Sequence, residues 1–103
     1  MNNNQDKLNV LRKIQMKPNF TQREIAKDLG FSLGKLNYCI KELNKKGLVK
    51  IKNFKKNKKK ISYIRKYVLT SKGIDFRINL TIQFMKKKMK EYDELKSEIY
   101  HEK

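Results

Sequence analysis

The tightest constraint on this chain is a run of helix punctuation between residues 21 and 47. Thr21-Gln22-Arg23-Glu24 is a capping box: the threonine hydroxyl and the glutamate carboxylate each satisfy a backbone N–H that a new helix leaves without a partner. Ile25, Ala26 and Leu29 then recur at the spacing of one buried face, and Gly30 stands where a helix needs a left-handed residue to stop. Ser32 caps a following helix that runs to about Lys46, with Gly47 as its stop. Two short helices joined by a tight turn must share one core.

The second of these helices is strongly two-faced. At 100° per residue Leu36, Cys39, Ile40 and Leu43 lie on one side, while Gly34, Tyr38, Lys41 and Lys45 lie on the other. Lys35 and Asn37 flank that outer face near its N-terminal end. Helix, short turn, basic amphipathic helix is a helix-turn-helix pattern. Residues 5–16 precede it as a first helix, with Leu8, Leu11 and Ile14 at helical spacing, Val10 beside them, and Pro18 closing the segment.

Two strands follow. The run from Leu48 to Phe54 alternates apolar and polar residues, and Ile61 to Leu69 is rich in β-branched and aromatic ones. Between them Lys55 to Lys60 offers nothing apolar to bury, so the segment reads as a hairpin with a cationic tip. Thr70 then caps a long helix from Ser71 to about Tyr100, about 45 Å at 1.5 Å per residue. Its Ile78, Ile82, Met85, Met89 and Tyr92 keep a four-three spacing that continues through Lys96 to Ile99, with Leu95 beside it. A domain of residues 1–70 is too small to cover that stripe, and a second copy of the chain covers it most simply. The expected fold is therefore mainly α with a small β-hairpin (α+β): a winged helix-turn-helix over residues 1–70 and a dimerisation helix over 71–103.

Composition narrows the function. The 103 residues carry a formal net charge of +17. It is lopsided: residues 1–70 hold 19 bases and 4 acids, and residues 71–103 hold 8 and 6. A field of that shape seeks a polyanion, with nucleic acid favoured over an acidic membrane. One Cys (Cys39) and one His (His101) exclude a disulfide framework, a multi-cysteine zinc site and His-based metal clusters. With no paired carboxylates, Ser/His/Asp set or phosphate-binding glycine loop, no enzyme activity, metal or cofactor is expected. Neither an apolar run of membrane-spanning length nor an apolar leader is present, so a cytoplasmic, membrane-free protein is expected.

The expected partner is double-stranded DNA. The major groove admits one α-helix, dry on its inner side and polar outside. Ser32, Lys35, Asn37, Tyr38 and Lys41 meet that requirement, with Asn37 suited to adenine and Tyr38 to sugar or a thymine methyl. The Thr21–Gln22 end of the preceding helix offers backbone N–H groups and a positive dipole to a phosphate. Lys55, Lys56, Lys58 and Lys59 suit phosphates beside the flanking minor groove. Two rivals share these features: a basic nucleic-acid binder without sequence choice, and an adaptor whose long helix docks on another protein while the basic lobe holds DNA.

Thr21 to Gly30, Ser32, Leu43-Asn44-Lys45-Lys46-Gly47-Leu48-Val49 and Leu69-Thr70-Ser71-Lys72-Gly73 together resemble the winged helix-turn-helix pattern of MarR-type transcriptional regulators. Asn53-Phe54-Lys55, Leu80 to Met89 and Glu91 to Ile99 are similar to features of a short branch called exopolysaccharide-associated. The resemblance spans about residues 6–100. It implies a homodimeric DNA-binding regulator, with control of exopolysaccharide genes as the corresponding role. The chain departs from the pattern in two places. Its wing loop has only Lys and Asn where an Asp and an Arg are common. It also has one long helix where relatives build a second lobe around an effector pocket, so no small-molecule effector is expected.

Overall fold

The computed structural model describes residues 4–55 and 63–101, with the backbone alone at 53–55 and 63–66. Its elements run α1 (Asn4–Met16), α2 (Gln22–Leu29), α3 (Leu33–Lys45), β1 (Val49–Lys55), β2 (Tyr63–Leu69) and α4 (Ser71–His101). Both strands of the hairpin are antiparallel, registered from Val49↔Leu69 at the base to Lys55↔Tyr63 at the outer end. This is a winged-helix fold, mostly helical, with a two-stranded wing and a long C-terminal helix.

The helix boundaries follow from local chemistry. At α2, Thr21 Oγ1 accepts from the Glu24 amide at 3.2 Å and Glu24 Oε1 accepts from the Thr21 amide at 3.0 Å, which completes the expected capping box. Gly30 closes the helix at φ 70°, a conformation that side chains with a Cβ adopt reluctantly. Ser32 Oγ accepts from the Lys35 amide at 3.1 Å and starts α3.

The core forms where the first three helices meet the base of the hairpin. Val10, Leu11 and Ile14 of α1, Ile25 and Ala26 of α2, and Leu36, Cys39, Ile40 and Leu43 of α3 are all buried, together with Leu48, Val49 and Tyr67. Asn44 Nδ2 donates to the Val49 carbonyl at 2.8 Å and fixes β1 to the end of α3. Ile51 and Val68 are already partly exposed one step further along the strands. The apolar alternation of the hairpin thus serves the core only at its base, and the rest projects as a wing.

The start of α4 is knitted to that base. Thr70 donates its amide to the Leu48 carbonyl at 3.0 Å and its hydroxyl to the Gly47 carbonyl at 2.6 Å, while the same hydroxyl accepts from the Gly73 amide at 3.0 Å. Gly73 lies so close to Leu48 that a Cβ would collide with the Leu48 carbonyl group. Further along, Leu80 is buried and Phe76 and Phe84 are half-buried, an inner stripe facing the first domain. Sequence periodicity alone had pointed only to the outer stripe, because the two share one helix and only one has an unbroken four-three spacing. Beyond Phe84 the helix leaves the body of the molecule, whose longest dimension is 72 Å. Among the described residues no helix is long and apolar enough to cross a membrane.

Candidate nucleic-acid interface

α3 presents one face to the core and one outward. The inner residues are essentially inaccessible, whereas Tyr38 is 55% exposed and Lys41 is exposed. Gly34 has open space where a Cβ would stand, with no described residue other than its helix neighbours within 4 Å of it. Asn37 is half-buried at the edge. The wheel drawn from sequence therefore matches the observed face.

Lys35 has a second engagement that the sequence did not suggest. Its ammonium lies 3.2 Å from the Asp6 carboxylate on α1 and 4.1 Å from the centre of the Phe31 ring. A carboxylate and an aromatic face both hold a cation in place, so this side chain braces α1 against α3. Reaching a nucleic acid requires it to leave Asp6. Contacts between residues so far apart in sequence have no local signature.

The hydroxyls of Thr21 and Ser32 accept as the caps of α2 and α3, and the start of α2 also offers backbone donors. The capping box satisfies the Glu24 amide and leaves those of Gln22 and Arg23 outside the helix's own ladder. They sit at the positive end of the helix dipole, where an anion is favoured. Gln22 Oε1 accepts from the Tyr67 hydroxyl at 3.2 Å, which ties the α2 start to the second wing strand. The outer face of α3 and the wing are thereby set relative to each other through this hydrogen bond and the shared core.

On the wing, Lys50 and Lys52 are exposed, and the register sets Lys52 beside Lys66 and Asn53 beside Arg65. Lys55 stands at the outer end of β1. Lys56, Lys58 and Lys59 lie outside the described residues.

Among the described residues two titratable groups depart from ordinary behaviour. The Lys46 ammonium beside Lys7, together with partial burial, holds Lys7 below the usual lysine range. Burial pushes the Cys39 thiol up, which keeps it protonated and inert within the core. Among the described residues no group of His, Cys, Asp and Glu is arranged to hold a metal ion.

Where α4 crosses α1 there is an open groove of ≈ 520 Å³, its lining including Leu8, Phe84, Met85 and Met89 with Arg12 and Arg77. Arg77 Nε is buried without a hydrogen-bond partner. Sequence reasoning missed this concavity, since it arises only from the angle between the two helices. The outer stripe of α4 is uncovered: Ile78, Ile82, Met85, Met89, Tyr92, Leu95 and Ile99 are between 44 and 67% exposed.

The fold and this face define a winged-helix chain with a cationic outer helix. Residues 7–50 match the family described as winged helix-turn-helix DNA-binding. Solved structures share the fold over most of the chain. The PcaV transcriptional regulator of Streptomyces coelicolor, determined with its natural ligand, is 13% identical with a TM-score of 0.66 over 93% of this chain and 73% of its own. Streptococcus pneumoniae FabT, determined in complex with DNA, is 19% identical with a TM-score of 0.62 over 85% of this chain and 58% of its own. Lactococcus lactis ZitR, a zinc-responsive MarR family member, is 20% identical with a TM-score of 0.64 over 89% of this chain and 60% of its own. No curated protein matches the sequence.

Proposed function

We propose that this chain is a sequence-specific, DNA-binding transcriptional regulator of the cytoplasm that acts as a homodimer. The observation that carries the reading is the outer face of α3: a free aromatic and a free cation, Tyr38 and Lys41, on a helix whose other side is fully buried. α3 enters the major groove, with Asn37, Tyr38 and Lys41 toward the bases and Lys35 joining once it leaves Asp6. The Thr21–Gln22 corner takes a backbone phosphate through the Gln22 and Arg23 amides. Lys55, Lys56, Lys58 and Lys59 of the wing neutralise phosphates at the flanking minor groove, which supplies affinity by counterion release. Ile78, Ile82, Met85, Met89, Tyr92, Leu95 and Ile99 join two copies, so that the operator is a pseudo-palindrome. Solved structures that share the fold, one with DNA and another a MarR family member, support the regulator class. Control of exopolysaccharide genes is carried by the sequence resemblance of residues 53–55 and 80–99 alone.

Binding-site selection from random duplex DNA tests this reading. Enrichment of a two-fold symmetric motif is the expected result. A flat selection, with binding that falls steeply as salt rises and no preferred sequence, overturns it in favour of a basic binder without sequence choice.

A further inference from the structure

The homodimer proposed above leaves the relative direction of the two α4 helices open, and the charge along that helix bears on it. We infer that the two α4 helices pair antiparallel, the acidic end of each lying along the basic middle of the other, with Met89 level with the partner's Tyr92. The inference rests on the homodimer reading and adds an orientation and a register to it.

Four cations and no acid occupy residues 86–90: Lys86, Lys87, Lys88 and Lys90. The next eight residues reverse the sign, with Glu91, Asp93, Glu94 and Glu98 against Lys96 alone. Side chains throughout this stretch are exposed, and its one internal ion pair, Lys88 to Glu91, is a loose 3.9 Å. Parallel helices in register set the two basic blocks level with each other and the two acidic blocks level with each other, with Lys88 of each copy beside residue 93 of the other as the opposing attraction. They also face Lys96, a position within the apolar stripe, with the partner's Lys96. Antiparallel helices set the basic block against the acidic one and remove that clash.

The stripe then selects a register. Its four-three spacing lets antiparallel copies mesh in two ways that keep it in contact along its length. One puts Met85 level with the partner's Met89, and brings Lys86 beside the partner's Lys86. The other puts Ile82 level with the partner's Ile99, Met85 with the partner's Lys96 and Met89 with the partner's Tyr92. That second register brings Lys86 beside the partner's Asp93, an attraction that occurs twice by symmetry. It also seats the Met89 thioether of each copy against the partner's Tyr92 ring, a favourable contact. In this register the two Leu80 residues, where α4 is last fully buried against its own domain, stand ~31 Å apart along the rods. That distance is close to the roughly 34 Å between successive major grooves on one side of B-DNA.

Disulfide trapping tests the geometry in the full chain. The native thiol, Cys39, is buried, so a covalent dimer reports an introduced cysteine on an exposed site. Ile82→Cys and Ile99→Cys are each expected to stay uncrosslinked alone and to give disulfide-linked dimers when mixed. Crosslinking of Ile82→Cys by itself overturns the orientation and points to parallel helices. A mixture that fails to crosslink although sedimentation shows dimers overturns the register. A chain that sediments as a monomer at every concentration instead defeats the homodimer reading beneath it. A charge swap gives an independent check: Lys86→Asp and Asp93→Lys should each weaken dimerisation, and the double variant should restore it. Rescue of Asp93→Lys by Lys88→Asp instead identifies the parallel arrangement, in which residue 88 is the one that meets residue 93.

Discussion

α3 and α4 carry the same kind of apolar stripe and meet opposite fates. On α3 the stripe of Leu36, Cys39, Ile40 and Leu43 is sealed within a core built by neighbours on every side. On α4 the stripe from Ile78 to Ile99 faces solvent, although its residues are as apolar and its spacing as regular. Periodicity thus specifies that a face must be covered without specifying by what. Cover for α3 comes from its own chain, so its loss registers as unfolding. The outer side of α4 has no such cover among the described residues, and in the proposed homodimer loss of its cover registers as dissociation.

The largest effect expected of this contrast is on α3. Leu43→Ala removes a fully buried side chain and should cost about 2–5 kcal/mol of stability, read as a lowered midpoint in urea. Ile82→Glu combined with Met89→Glu should leave the secondary structure seen by circular dichroism intact and convert the dimer to a monomer by sedimentation. An unfolded double variant erases the distinction between the two stripes. Gly73→Ala lies between these cases. The added methyl meets the Leu48 backbone, and the strain of about 1–3 kcal/mol exceeds the gain in helix propensity of roughly 1 kcal/mol. A neutral result by thermal melting shows that the joint yields.

Smaller effects sharpen the outer face of α3. Tyr38→Ala should leave stability unchanged and weaken binding to a selected duplex by about 1–3 kcal/mol, with little change on random DNA. Equal losses on both remove Tyr38 from sequence recognition. The smallest effect concerns Lys7, whose charged form is disfavoured in the folded chain by Lys46. Because its folded value lies below its unfolded one, the cost is present at neutral pH and fades as the solution is made alkaline. Lys7→Gln should therefore raise the melting temperature slightly, within about 0.5 kcal/mol, and the gain should shrink toward pH 10.

Local chemistry was legible in the sequence. Thr21, Glu24, Gly30, Ser32 and Thr70 act on atoms a few residues away, so their spacing already contains the geometry. The apolar set of α3 and the outer stripe of α4 were equally readable, since a single helix fixes both. Contacts between distant segments were not. The Lys35–Asp6 pair, the approach of Gly73 to Leu48 and the inner stripe of Phe76, Leu80 and Phe84 depend on how elements cross. Nothing in the run from Leu80 to Met89 separates the residues that turn toward α1 from those that turn away.

The seam at Gly73 has a mechanical consequence. A helix whose first turn is pressed onto the Leu48 carbonyl and stitched through Thr70 to Gly47 has no free swivel between arm and jaw. Two such arms paired along their length, as in the proposed dimer, form a calliper of fixed gauge. On the proposed duplex, half-sites moved apart by a single base pair fall outside that gauge in both distance and rotational phase. Operator spacing is then measured by the body of the protein, independently of which bases its jaws touch.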